Sequence, residues 1–85
     1  MQEFTYVIQD PLGLHARPAG ILVKEAAKYE STITLDREGT TANAKSIIQV
    51  MRMAVKNGEK VKISCCGEDE VAAETALKFL LQTNL

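Results

Sequence analysis

The sequence predicts an α+β fold in which helices pack on one face of a single sheet. Three observations predict it. Alternating, β-rich runs recur along the chain, segments with helix start and stop chemistry lie between them, and the order is β-α-β-β-α-β-α. The first strand is Phe4-Thr5-Tyr6-Val7-Ile8, with Phe4, Tyr6 and Ile8 on one face. Asp10-Pro11-Leu12-Gly13 breaks it. A helix from Ala16 to about Tyr29 follows, with Pro18 in its first turn, where a missing N–H is tolerated and the fixed φ suits the helix. Thr32-Ile33-Thr34-Leu35 alternates as a half-buried strand. Asp36-Arg37-Glu38-Gly39 supplies a turn, and Thr40 to Ala44 returns as the hairpin partner. Ser46-Ile47-Ile48-Gln49 has the capping-box spacing and starts a short helix from Ile47 to about Met53, followed by the turn residues Asn57-Gly58. Val61 to Cys65 alternates as the last strand. Gly67-Glu68-Asp69-Glu70 opens the final helix, with acids at its positive end. Its apolar stripe reads Val71, Ala73, Leu77 and Leu80, with Ala76 and Leu81 at the margin. One helix between the first two strands and hairpin-like joins elsewhere give the simplest packing.

Size and charge exclude several classes. The 85 residues form one domain spanning 1–85, large enough to bury roughly 60% of its unfolded surface. An apolar fraction of 46% with 25% charged residues excludes disorder. A net charge of −1 gives no reason to expect direct nucleic-acid or anionic-membrane binding. No apolar run reaches the roughly 18 residues of a membrane span, so no insertion is expected. Met1-Gln2-Glu3-Phe4 lacks a basic segment and an apolar signal core, which predicts a cytoplasmic location. Cys65 and Cys66 are adjacent, poor geometry for a mutual disulfide, and on a strand they point to opposite faces. Two neighbouring thiols and one distant histidine are too few for a metal site, and no cofactor is expected.

Gly13-Leu14-His15-Ala16-Arg17-Pro18-Ala19 carries the only histidine of the chain. The imidazole falls at the start of a helix, where main-chain N–H groups lack intrahelical partners and attract anions. Arg17 adds a fixed positive charge. A helix N-terminus disfavours imidazolium by roughly 0.3–1 kcal/mol, which keeps a neutral, nucleophilic ring available and favours a phosphoryl group on it. Residue type alone leaves a second role open, a loop histidine whose ring nitrogen caps the helix. No Ser or Asp partner motif suggests a hydrolase triad, and neither a Walker motif nor Gly-x-Gly-x-x-Gly is present.

This heptapeptide resembles the active-site signature of the HPr family, the histidine-containing phosphocarriers of the bacterial phosphoenolpyruvate:sugar phosphotransferase system. Asn43-Ala44-Lys45-Ser46-Ile47 is similar to that family's second signature, and Gly67-Glu68-Asp69-Glu70 to the usual start of its last helix. The resemblance covers essentially the whole chain. It implies an open-faced β-sandwich, a four-stranded antiparallel sheet covered on one face by three helices. It also implies a monomeric phosphoryl carrier rather than a turnover enzyme. His15 would take a phosphoryl group on Nδ1 from phosphorylated enzyme I and pass it to a sugar-specific IIA component. Arg17 and the amides of Ala16 and Arg17 would stabilise the phosphate.

Ser46 has a plain role as an N-cap, worth about 1 kcal/mol. The resemblance adds phosphorylation of Ser46 by an HPr kinase/phosphorylase, which lowers transfer at the histidine and promotes binding to a catabolite-control transcription regulator. A charge of roughly −1.5 to −2 at a helix start is locally favourable, so the helix need not melt. On the short helix, Val50 and at least one of Ile47, Ile48 and Met51 are expected in the core. The resemblance makes Ile47, Ile48 and Met51, with Leu14 from the loop, a docking patch. Many relatives carry Met-Gly after Ser-Ile and Ser-Leu-Gly further on. This chain has Ile48-Gln49 and Arg52-Met53-Ala54, changes that bear on partner choice rather than chemistry. Lys24 and Lys45 are candidate rim charges. A regulation-only relative would lack the histidine, and a plain ligand-binding module would leave it incidental.

Overall fold

The computed structural model describes residues 1–85. Its order is β1 (Gln2–Val7), α1 (Ala16–Ala26), β2 (Thr32–Arg37), β3 (Thr40–Asn43), α2 (Ile47–Met53), β4 (Lys60–Cys66) and α3 (Glu70–Asn84). The strands form one antiparallel sheet in the order β1-β4-β2-β3. Phe4 lies opposite Ile63, and Ile63 lies opposite Leu35, so alternate residues of three strands share one covered face. That face holds Phe4, Ile33, Leu35, Val61, Ile63 and Cys65, all buried, while Thr5, Lys62 and Asp36 line the open face.

The joins differ from the simplest expectation. Only β2 and β3 form a hairpin. Its turn is Glu38-Gly39, between paired Arg37 and Thr40, and both turn residues have positive φ. That is the sign expected of a two-residue turn matched to strand twist. Asp36 Oδ1 accepts from the Gly39 amide at 2.9 Å, while Asp36 and Arg37 themselves belong to the strand. α2 separates β3 from β4, and β4 inserts between β1 and β2, so that α1 spans two strands that never touch.

Helix α1 stops at Ala26, short of Tyr29. The amides of Lys28 and Tyr29 turn back to the carbonyls of Glu25 and Ala26, a tightening that ends the helix. Lys45 Nζ then takes the Tyr29 carbonyl at 2.6 Å, so this lysine ties down the end of α1 rather than standing free on a rim. Asp69 accepts hydrogen bonds from the amides of Glu30 and Ser31 and from the Ser31 hydroxyl, fixing the next corner to the start of α3. The Ser31 hydroxyl bond, foremost among these, holds the Asp69 carboxyl below its ordinary range.

Helix α3 buries Ala73, Leu77, Leu80 and Leu81 against β1, β4 and α1. Val71 is 60% exposed and does not join that stripe. It precedes Ala73 by two residues, or about 200° of helix, which points it away from the sheet. Leu81, read as marginal, is core. Cys65 is buried and Cys66 exposed, and burial pushes the Cys65 thiol up to about 11, which leaves it a packing residue.

Helix α2 buries Val50 and Met53. It ends at Met53, as its spacing predicts, and its C-cap Ala54 adopts the left-handed conformation (φ 52°, ψ 45°) that glycine accepts most readily.

Candidate functional site

The loop before α1 is built around two close approaches. Gly13 has φ +71°, and a Cβ there would stand 2.4 Å from the Val55 carbonyl oxygen and 2.9 Å from Lys56 Cα. Only glycine lets this loop lie against the segment that follows α2. The next amide, Leu14 N–H, then donates to that same Val55 carbonyl at 2.9 Å. The Leu14 side chain drops into the core, 5% exposed. The expectation that Leu14 forms part of an exposed docking patch is therefore corrected. It anchors the loop from beneath, because an apolar side chain beside this seam gains more from the core than from solvent.

With Leu14 held below, His15 emerges at the N-cap of α1, its side chain 34% exposed. Its main-chain carbonyl accepts from Ala19 N–H at 2.9 Å, the first bond of the helix. The imidazole makes no capping hydrogen bond. The alternative of a ring nitrogen capping the helix is thereby removed. Ala16 and Arg17 contribute amides with no intrahelical acceptor, and Pro18 at the third position has no N–H to leave unpaired. Two main-chain donors, rather than the usual first-turn set, are thus available beside the ring.

His15 lies in a shallow depression of about 410 Å³ together with Asp10, Arg17, Pro18, Ile21 and Asn84. Arg17 is the one cation of this lining, and its side chain belongs to an exposed residue. Asp10 and Asn84 were not legible as site residues. Asp10 Oδ2 stands 3.5 Å from His15 Nε2. Asn84 arrives on the last turn of α3, the far end of the chain. The only local signal was Asp10 opening a turn, which it does by accepting the Leu12 amide at 2.8 Å.

The second region is the start of α2. Ser46 is the N-cap, and its hydroxyl accepts from the Gln49 amide at 3.3 Å. The capping box is only half made. Gln49 Oε1 accepts from the Asn43 amide at 2.9 Å instead of the Ser46 amide, which donates to the Asn43 carbonyl. The glutamine therefore ties α2 to β3. On the outer face, Ile47, Ile48 and Met51 are 41%, 64% and 38% exposed, so none of the three is a core residue as one was expected to be. With Arg52 they line an open apolar depression of about 420 Å³. It shares no lining residue with the depression at His15, although Val55 links the two regions through the Leu14 amide.

A histidine at an open helix start, beside an arginine and above a buried leucine, agrees with comparison to known proteins. The family model described as the PTS HPr component phosphorylation site matches residues 2–83. The chain belongs to the HPr family. Over 83 residues it is 45% identical to phosphocarrier protein HPr of Mycoplasma capricolum, covering 98% of this chain and 90% of that one. Its structure is similar to that of a mycoplasma histidine-containing phosphocarrier protein, with TM-score 0.94 and 41% identity, covering 96% and 93% of the two chains. An HPr of Thermoanaerobacter tengcongensis gives TM-score 0.93 at 41% identity, covering 98% and 93%. The fold and the role of HPr, a phosphocarrier of the phosphotransferase system, follow from this membership. No helix is long and apolar enough to cross a membrane, and no group of three or more His, Cys, Asp or Glu side chains is placed to hold a metal ion.

Proposed function

We propose that His15 is the phosphoryl-accepting residue, taking the group on Nδ1 from phosphorylated enzyme I and giving it to a sugar-specific IIA domain. The observation that carries this reading is the uncapped start of α1, where His15 makes no bond to the helix it opens. An anion on the ring would meet the amides of Ala16 and Arg17 and the Arg17 guanidinium. A carrier must hold its phosphate only moderately. A shallow depression with one arginine suits that need better than an enclosed, multiply charged pocket. The chain acts stoichiometrically, as a monomer in the cytoplasm, with one phosphoryl group received and one given per cycle.

Ser46 is the regulatory residue in this reading, modified by an HPr kinase/phosphorylase so that the chain then engages a catabolite-control transcription regulator. Added charge at a helix start is compatible with the helix. It acts by repelling acidic partner surfaces. Ile47, Ile48 and Met51 supply the apolar contact, since compact exposed apolar patches mark partner surfaces.

Phosphoenolpyruvate and enzyme I should add one acid-labile phosphate to the native chain, read by intact mass, and none to His15→Ala. An unlabelled native chain would end the proposal. With ATP and the kinase, an acid-stable phosphate should appear and vanish in Ser46→Ala. Its absence from the native chain removes the regulatory part alone.

A further inference from the structure

Asp10 occupies a position that phosphate binding at Arg17 and the α1 amides does not explain. Its carboxylate is shared between two tasks. Oδ1 accepts from the Leu12 amide at 2.8 Å, and Oδ2 faces His15 Nε2 at 3.5 Å. Its main chain is fixed as well, since the Asp10 amide donates to the Leu85 main-chain oxygen at 2.9 Å and the Asp10 carbonyl accepts from Gly13 at 2.8 Å. The carboxylate is therefore held by the turn and by the end of α3 before it meets the ring. Among the residues lining the depression, only Asp10 and Arg17 bear charge besides His15, and Asn84 is the sole contribution of α3. Asp10 is the carboxylate beside a ring nitrogen there.

A carboxylate accepts and cannot donate when ionised, so it favours a neutral imidazole that turns N–H rather than a lone pair toward it. The hydrogen bond made by one ring nitrogen decides which nitrogen carries the proton and which keeps its lone pair. We propose that Asp10 is a positioning residue for His15, accepting the Nε2–H and so presenting the Nδ1 lone pair to the incoming phosphoryl group. The inference rests on the reading of His15 as acceptor. In the transfer, the Nδ1 lone pair forms the new N–P bond while the donor's P–N bond breaks and its electron pair returns to the donor nitrogen. The His15 ring keeps its Nε2 proton and gains positive charge, which then faces the Asp10 carboxylate. On release to the next acceptor these changes reverse, and the ring returns to its neutral, Nε2-protonated form.

Three variants separate ring orientation from loop architecture. Asp10→Asn keeps one oxygen for the Leu12 amide and puts an NH2 donor in place of the oxygen that faces the ring. Asp10→Ser keeps a hydroxyl that accepts from Leu12 but is too short to reach the ring. Asp10→Ala keeps neither. Nitrogen-15 shifts of the His15 ring, recorded on the neutral form of the protein alone, should report a single Nε2–H tautomer in the native chain. Asp10→Asn should shift the ring toward Nδ1–H, since an NH2 can donate only to a bare Nε2, and Asp10→Ser and Asp10→Ala should give a mixture. If half the rings hold the wrong tautomer, phosphoryl acceptance from phosphorylated enzyme I slows about twofold, because only the competent fraction reacts. Unchanged ring shifts in Asp10→Ser overturn the proposal, whatever its rate. The ring spectrum needs no phosphoryl donor, so an unlabelled native chain with a single tautomer defeats the acceptor reading and leaves the contact standing.

Discussion

At the start of α1 the N-cap side chain is an imidazole bonded to nothing in the helix, whereas at the start of α2 the Ser46 hydroxyl takes the Gln49 amide. The two starts also differ in what supports them. The first is held from below by buried Leu14 and from behind by the Gly13–Val55 contact, with its own donors left unused. The second spends the Gln49 amide on the Ser46 hydroxyl and the Ser46 amide on the Asn43 carbonyl, while Gln49 Oε1 accepts from the Asn43 amide of β3. An open helix start is stable only when other contacts fix the chain around it, and those contacts free its amides for an external anion. A closed start needs no such scaffold. It is a local structural joint, which a modification can alter without touching the first.

The comparison breaks most visibly at Leu14. Leu14→Ala removes the buried support and should cost about 2–4 kcal/mol in denaturant unfolding, because a cavity is left under the loop. A cost under about 0.5 kcal/mol, typical of surface substitutions, would mean that the loop is fixed by its backbone contacts alone. A smaller effect sharpens the contrast between the two caps. Ser46→Ala should cost about 1 kcal/mol, while His15→Ala should cost under about 0.5 kcal/mol, since the imidazole caps nothing. Equal costs in one denaturant series would show that the two starts are alike energetically and would undo the distinction.

Local patterns were readable because local physics sets them. The bounds of α2, Ile47 to Met53, followed from Ser46 and the apolar spacing, and strand alternation sent Cys65 and Cys66 to opposite faces without saying which lies inward. His15 stood out as the one histidine before a helix start. What could not be read depends on partners distant in sequence. Asp10 meets His15 only because Gly13 folds the loop tightly, and Asn84 arrives from the other end of the chain. Leu14 looked exposed because nothing nearby in sequence reveals that Val55 will take its amide and draw its side chain inward. Gln49 had the right spacing for a reciprocal cap, but the Asn43 amide on β3 took its side-chain oxygen. The left-handed Ala54 also went unread, because alanine carries none of the usual sequence signals for that conformation.

The central place of β4 has a consequence for how the molecule is made. β1 pairs with β4 alone, from Gln2 opposite Cys65 to Val7 opposite Lys60. A nascent chain that has left the ribosome only as far as Gly58 therefore contains one hairpin, β2 with β3, and a first strand with no neighbour. At roughly 5–20 residues per second that interval lasts seconds, far longer than closing a hairpin takes. Assembly of the sheet is thus a late event, completed when β4 slides between β1 and β2.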